Sequence, residues 1–420
     1  MTVSDTIGRR RSRPDADAPG APARPERTGP RHLPSIPLPV GIIRPLLYVI
    51  VGTQTYRGLR VPLDPFSQSY WLVNYGQGFI RRGLTGSLLD LLTGRPTFLQ
   101  VRLASLVIAA VTLVAVVGLL EVLLRRGTAR TLLAATLLAS SPFVIPFLAS
   151  QRRPDELGIG LLIGLGLGLL GAGRRRALVV SAGVGLAFGL LVLVHEGVVL
   201  EFVPPAAALA AFLTATGEPN RWRTPVALTV VPSFVSLLGV GFLGAVDAAT
   251  AARLRAGESF APRGAPHSLT MFDFLPQSLH GAASLSLHGQ WRNHAAMVCL
   301  GVVLLGLQIY WVRRWVGVRW MTTLSSALGS LPALVLGALV GAGGVALFVT
   351  GIDWIRWFEA LGAAWLVTVC FVVLQRPGER ARTLDVPGFL PVLGAYFVLL
   401  PLLPTAAAAA AIGRLILLRH

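Results

Sequence analysis

The sequence predicts an all-α, polytopic integral membrane protein of about eleven transmembrane helices, with an interfacial amphipathic helix in its first outward loop. Three observations predict this class. Hydrophobic residues make up 54% of the 420-residue chain and charged residues only 13%, far from the balance of a soluble domain. The mean hydropathy is +0.67. The apolar residues also come in repeated runs of roughly 18–22, the length a helix needs to cross a hydrocarbon core about 30 Å thick.

In chain order, residues 1–38 are polar, rich in Pro, Arg, Asp and Ala, and lack the apolar region of a signal peptide. They read as a disordered tail whose seven arginines hold it in the cytoplasm. Residues 39–420 form a single transmembrane domain. Spans are expected at 39–56, 103–124, 131–149, 157–173, 177–194, 198–215, 225–246, 294–312, 326–350, 358–375 and 387–404. The segment 405–420 is too short and interrupted to add another. Two long extracytoplasmic connections result, at 57–102 and 247–293. In the first, Phe79, Leu84, Leu88, Leu89 and Leu92 fall on one apolar stripe of a helix over Ile80–Leu92. Such a helix lies at the membrane surface.

All thirty-seven basic residues are arginine, so arginine abundance carries no meaning here and each one is judged by position. Inner loops carry fourteen arginines and outer loops twelve. The margin is thin for a positive-inside bias, and the tail does much of the orienting. The inner arginines sit in short hinges such as Gly171–Arg176, whereas the outer ones sit beside carboxylates, aromatics and glycines. The net charge of +18 lies mostly in loops flanking spans and does not indicate nucleic acid. Without lysine there is no nucleotide-binding P-loop. The Gly164–Gly168 run lies inside a span and reads as close helix packing. Cys299 and Cys370 have no redox or metal spacing and read as apolar fillers.

Threaded through a bilayer, four polar clusters from separate connections fall on one side. Arg81 and Arg82, in Gly-Phe-Ile-Arg-Arg-Gly-Leu, offer planar forks matched to phosphate oxygens, between glycines that let a backbone come close; the alternative is snorkelling to headgroups. Arg152, Arg153, Asp155 and Glu156 open an apolar span, with the carboxylates placed either to cap the helix or to act as base or cation ligand. His195 and Glu196 interrupt near-continuous hydrocarbon, where ionisable groups are costly and are usually paired or functional. Asp353, Trp354, Arg356 and Trp357 offer either an i,i+3 ion pair in an aromatic belt or a braced arginine with an indole wall. Tyr75 extends that wall. The loop histidines His267, His280, His288 and His294 are too scattered to define a site.

The cytoplasmic N-terminus, the span count and the long first outward loop with its amphipathic helix resemble the polytopic GT-C glycosyltransferases. That resemblance implies transfer of a sugar from a polyprenyl-phosphate-linked donor to an extracytoplasmic acceptor, as in cell-surface polysaccharide biosynthesis at the bacterial plasma membrane. It implies an essential acid in the first loop, a role that falls to Asp64 in Leu63-Asp64-Pro65-Phe66. Many members carry an acidic pair there, whereas here the pair, Asp155-Glu156, is in the second outward loop. The combination of Gly-Phe-x-Arg-Arg-Gly-Leu with Asp-Trp-x-Arg-Trp also looks like bacterial membrane proteins linked to surface polysaccharides.

The expected catalytic set is therefore Asp64, Asp155, Glu156, His195 and Glu196. Phosphate binding falls to Arg81, Arg82, Arg152, Arg153 and Arg356, and the substrate wall to Tyr75, Asp353, Trp354 and Trp357. No cofactor is required by this set, although Asp155 and Glu156 are able to hold a divalent cation, Mg2+ or Mn2+. Partners would be the lipid-linked sugar and membrane lipids. The alternatives are a transporter or flippase of a lipid-linked anionic glycan, or a metal-independent polysaccharide polymerase or ligase.

Overall fold

The computed structural model describes residues 38–215, 220–262, 270–277, 281, 284, 291–350, 354–376 and 383–384. They are almost wholly helical. Helices α1 (Val40–Arg60), α2 (Pro65–Ser69) and α3 (Leu84–Thr93) are followed by α4 (Phe98–Arg126), α5 (Ala129–Ser140) and α6 (Ile145–Ser150). Then come α7 (Leu157–Leu169), α8 (Arg174–Val194), α9 (Val198–Glu201), α10 (Val203–Thr214), α11 (Arg223–Leu243), α12 (Ala248–Ala256) and α13 (Met271–Phe274). The series closes with α14 (Trp291–Trp311), α15 (Trp320–Leu328), α16 (Ser330–Thr350) and α17 (Trp354–Gln375). A two-residue antiparallel pair joins Leu38–Pro39 to Thr383–Leu384.

Ten of the eleven expected spans coincide with helix. Among the described residues, seven helices are long and apolar enough to cross a membrane, while α1, α7 and α10 account for the other three. The expected span 387–404 and the segment 405–420 lie outside the described residues, as do residues 1–37. Boundaries follow local chemistry. Helix α4 starts at a Thr97/Gln100 capping box and ends at Gly127, whose φ of 63° is left-handed. The expected span 131–149 is broken into α5 and α6 because Ser141 precedes Pro142 and takes an extended conformation (ψ 131°). The span expected at 326–350 is likewise divided at Gly329, whose φ is 88°.

The inner helices are those whose apolar surface is covered all round. The Ala129–Ser150 window is 100% buried and the α17 window 89%, against 17% for α11 and 22% for α16. The uncovered faces of the outer helices are the ones suited to lipid. Glycines set the closest approaches. A Cβ at Gly185 of α8 would lie 2.0 Å from the Leu228 carbonyl oxygen of α11, and one at Gly166 of α7 would meet the Phe371 ring of α17 at 2.3 Å. The glycine run of α7 is therefore close packing, as its composition predicts.

A second, smaller core unites the two long connections. Tyr70, Trp71, Val73, Ile80 and Leu89 of the first pack with Leu254, Met271, Phe272 and Leu275 of the second. The amphipathic helix begins at Leu84 rather than Ile80. Its Leu89 turns into this core, whereas Leu88, Leu91 and Leu92 stay exposed, the surface of a helix lying on a bilayer.

Candidate functional site

The odd–even order of the long helices brings the ends of α1, α6, α8 and α11 and the starts of α4, α7 and α17 to one end of the bundle. The described residues of the four polar clusters meet there. Asp64 ends the extended link after α1 and caps α2: Oδ1 accepts from the Ser67 backbone N–H at 2.9 Å and Oδ2 from the Ser67 hydroxyl at 2.6 Å. Pro65 at the first helical position has no N–H left unsatisfied by that arrangement. Ser67 Oγ also accepts from Arg153 Nε at 2.9 Å. The Arg153 guanidinium lies 4.9 Å from the Phe66 ring centroid and 5.9 Å from that of Tyr70. An exposed carboxylate is thus linked through one hydroxyl to a buried arginine.

Below this link the segment 152–156 is buried throughout. Glu156 accepts from the Arg153 backbone N–H at 3.1 Å. Burial raises Glu156 well above its ordinary pKa against the pull of that N–H, and neighbouring Asp155 adds to the rise. Arg152 donates to the carbonyl oxygens of Val61 and Ser150. Asp155 does not cap a helix; it forms an ion pair with Arg356, which also donates to Glu201 Oε1 at 3.0 Å. The exposures of Asp155, Arg356 and Glu201 are 0%, 2% and 0%. Asp353 lies outside the described residues, so the expected i,i+3 partner of Arg356 is not the one described.

His195 and Glu196 fall in the break between the spans expected at 177–194 and 198–215. Helix α8 stops at Val194, and both residues occupy the turn before α9. The reason is Gly197: a Cβ there would lie 2.4 Å from the His195 ring, so the chain folds back over the imidazole. The His195 and Tyr70 ring centroids are 5.7 Å apart. Glu196 receives a two-pronged fork from Arg82, Nε to Oε2 at 2.8 Å and Nη2 to Oε1 at 2.5 Å. Burial alone would raise the Glu196 pKa, but Arg82, aided by His195 and Arg81, overrides it and holds it far below 4.5.

Arg81 closes the C-terminal end of α13, donating to the carbonyl oxygens of Phe274 at 2.7 Å, Leu275 at 3.0 Å and Gln277 at 2.9 Å. Among the described residues three non-glycines have positive φ, and two of them are Arg82 (64°) and Arg152 (53°). Backbone held in a sparsely populated region tends to collect at functional sites.

The five arginines expected to bind phosphate thus all donate to groups of the protein itself. Of the expected wall, Tyr75 is half-buried and stacks on Phe79 at 5.5 Å. Trp354 and Trp357 stand edge-on to Phe348 at 5.9 and 5.7 Å; Trp357 is buried and packs with its own helix pair. The sequence reading missed Ser67, Tyr70 and Glu359 and gave Glu201 no role. Glu359 is fully buried one turn after Arg356, and an acid opening an apolar run was its signal.

The Arg82–Glu196 fork allows a direct check. Arg82→Ala and Glu196→Gln should each cost about 1.5–3 kcal/mol in chemical unfolding, and the double variant less than their sum. Since Glu196 is held low when folded, its contribution is complete above pH 4.5 and is lost as pH falls through the folded value. Arg82→Ala should remove that acid-side dependence.

Fold and site together define a polytopic α-helical membrane protein with a buried ion-pair cluster at one end of its bundle. The chain belongs to the family described as "Uncharacterised membrane protein Rv1490", whose model matches residues 46–257. That stretch holds the arginines, carboxylates and histidine of the site described above, except those of α17. The chain is 26% identical over 339 residues to "Uncharacterized protein Rv1490" of Mycobacterium tuberculosis and to "Uncharacterized protein Mb1527" of Mycobacterium bovis. In each case the match covers 73% of this chain and 77% of the relative. No solved structure matches.

Proposed function

We propose that the protein is a membrane glycosyltransferase that moves a sugar from a polyprenyl-phosphate-linked donor to a cell-surface acceptor on the extracytoplasmic side of the plasma membrane. The observation that carries this reading is the position of Asp64. Among Asp64, Asp155, Glu156, Glu196 and Glu201 it is the exposed carboxylate; the others are buried or tied to arginine. An acceptor hydroxyl can reach Asp64, while the Arg153 guanidinium is joined to it through the Ser67 hydroxyl and Arg152 feels its charge. In the reaction the bond from the anomeric carbon to the phosphate oxygen breaks and a bond from that carbon to the acceptor oxygen forms. The acceptor proton passes to Asp64, and the lipid phosphate leaves with the electron pair. Positive charge preorganised near the leaving group is worth most where water is excluded.

The experiment uses the full chain in proteoliposomes with a panel of polyprenyl-phosphate-linked monosaccharides and a soluble glycan acceptor. Protein-dependent release of polyprenyl phosphate together with labelled acceptor is expected. Movement of the intact donor between leaflets without bond cleavage would replace the transferase by a flippase, and neither cleavage nor movement of any donor in the panel would overturn both readings.

A further inference from the structure

The same end of the bundle holds a second constellation that the transfer chemistry does not use. Asp155 comes from the turn before α7, His195 from the end of α8 and Glu201 from α9. Each offers one nitrogen or oxygen, and these three atoms lie within 4.8 Å of one another. Their residues are 0%, 7% and 0% exposed. Ligands bound at about 2.1 Å to a tetrahedral ion stand about 3.4 Å apart, so side-chain adjustments of the order of 1 Å would close the set. No backbone element has to move for this.

Two further observations point to a ligand. Asp155 gives Oδ2 to Arg356, while its Oδ1 has no hydrogen-bond partner although fully buried. An ionised carboxylate oxygen in that state is costly unless something positive meets it. Gly197 adds a positional argument: its missing side chain lets the turn hold the His195 ring close to the Glu201 carboxylate, the two lying 2.4 Å and 3.3 Å from where a Cβ would be.

We propose that Asp155, His195 and Glu201 bind a divalent cation. One imidazole and two carboxylates suit a first-row ion such as Zn2+ or Mn2+ better than Mg2+, which prefers oxygen ligands and keeps its water. Arg356 stays in place as the outer partner of both carboxylates, orienting them as second-layer groups do at metal sites. The site ties the α7, α8 and α9 ends together directly beneath Tyr70. Binding requires no turnover, so the site stands or falls separately from the transferase reading.

The test strips the full chain in nanodiscs with a chelator, dialyses it against Zn2+ or Mn2+, and measures bound metal by mass spectrometry. About one equivalent per chain is expected, with nitrogen coupling from a single imidazole in the electron paramagnetic resonance of the Mn2+ form. His195→Ala should weaken binding by about tenfold or more, while its circular dichroism and thermal midpoint in chelator match the parent. If that variant does not fold, His195→Gln takes its place. Less than half an equivalent in the parent would overturn the proposal. Binding unchanged in a folded His195 variant would overturn it too, by placing the ion at other histidines.

Discussion

Asp64→Asn is expected to lower sugar-transfer turnover by roughly 10²–10⁴-fold while leaving the fold intact. The two halves of this expectation have separate causes. As the residue that caps α2, Asp64 needs only an oxygen that accepts from the Ser67 N–H at 2.9 Å, and asparagine caps about as well as aspartate. As a proton acceptor it needs the carboxylate, which asparagine lacks. Asp64→Ala should lose the cap as well, costing about 0.5–2 kcal/mol of stability on top of the activity. Turnover and thermal midpoint of the two variants, measured on the same donor, separate the roles. Near-normal turnover in Asp64→Asn, with a fall only in stability for Asp64→Ala, would reduce Asp64 to a helix cap and remove the base from the mechanism.

Arg356→Met should be the most damaging single change to stability, costing about 3–5 kcal/mol. The guanidinium bridges Asp155 and Glu201, and all three side chains are at most 2% exposed. Methionine fills similar volume but leaves two carboxylates facing each other without a counter-charge. Arg356→Lys should recover only part of the loss, because a single ammonium cannot present the two separated donors of the fork. Adding Asp155→Asn to Arg356→Met should recover part of it by removing one of the stranded charges, a non-additivity readable in a double-mutant cycle. A cost below about 1 kcal/mol for Arg356→Met would mean that the pair is solvated, as surface ion pairs are.

These two residues also show where the sequence stops being informative. The position of Asp64 just after the first span was readable from the chain. The choice between capping and catalysis for the acids was not. On local chemistry Asp155, at the head of an apolar run, is the better cap; in the structure the cap is Asp64, and Asp155 goes to an arginine 201 residues away. Arg82 finds Glu196 across 114 residues. Neither pairing has a local signature, because a salt bridge is selected by which helix ends become neighbours. The break between the spans expected at 177–194 and 198–215, which holds His195 and Glu196, was readable from the chain and is where α8 ends and α9 begins. What the chain did not show is that the turn at Gly197 sets the His195 ring beside the Glu201 carboxylate.

The sequence by itself determined that this is a helical membrane protein. It set the rough limits of ten spans that coincide with helix and the apolar packing of the glycine run in α7. Each of these follows from properties carried along the chain: run length against bilayer thickness, alternation of direction at each loop, and turn chemistry at the caps. Only the tertiary structure decided which helices are inner, that the two long connections share one core, and that every arginine of the site is already bonded within the protein. It also brought Asp155, His195 and Glu201 within reach of a single ion. Those outcomes depend on lateral contacts between helices, and a buried charge takes whichever partner the packing presents, since leaving it alone in a low-dielectric interior is the more costly state.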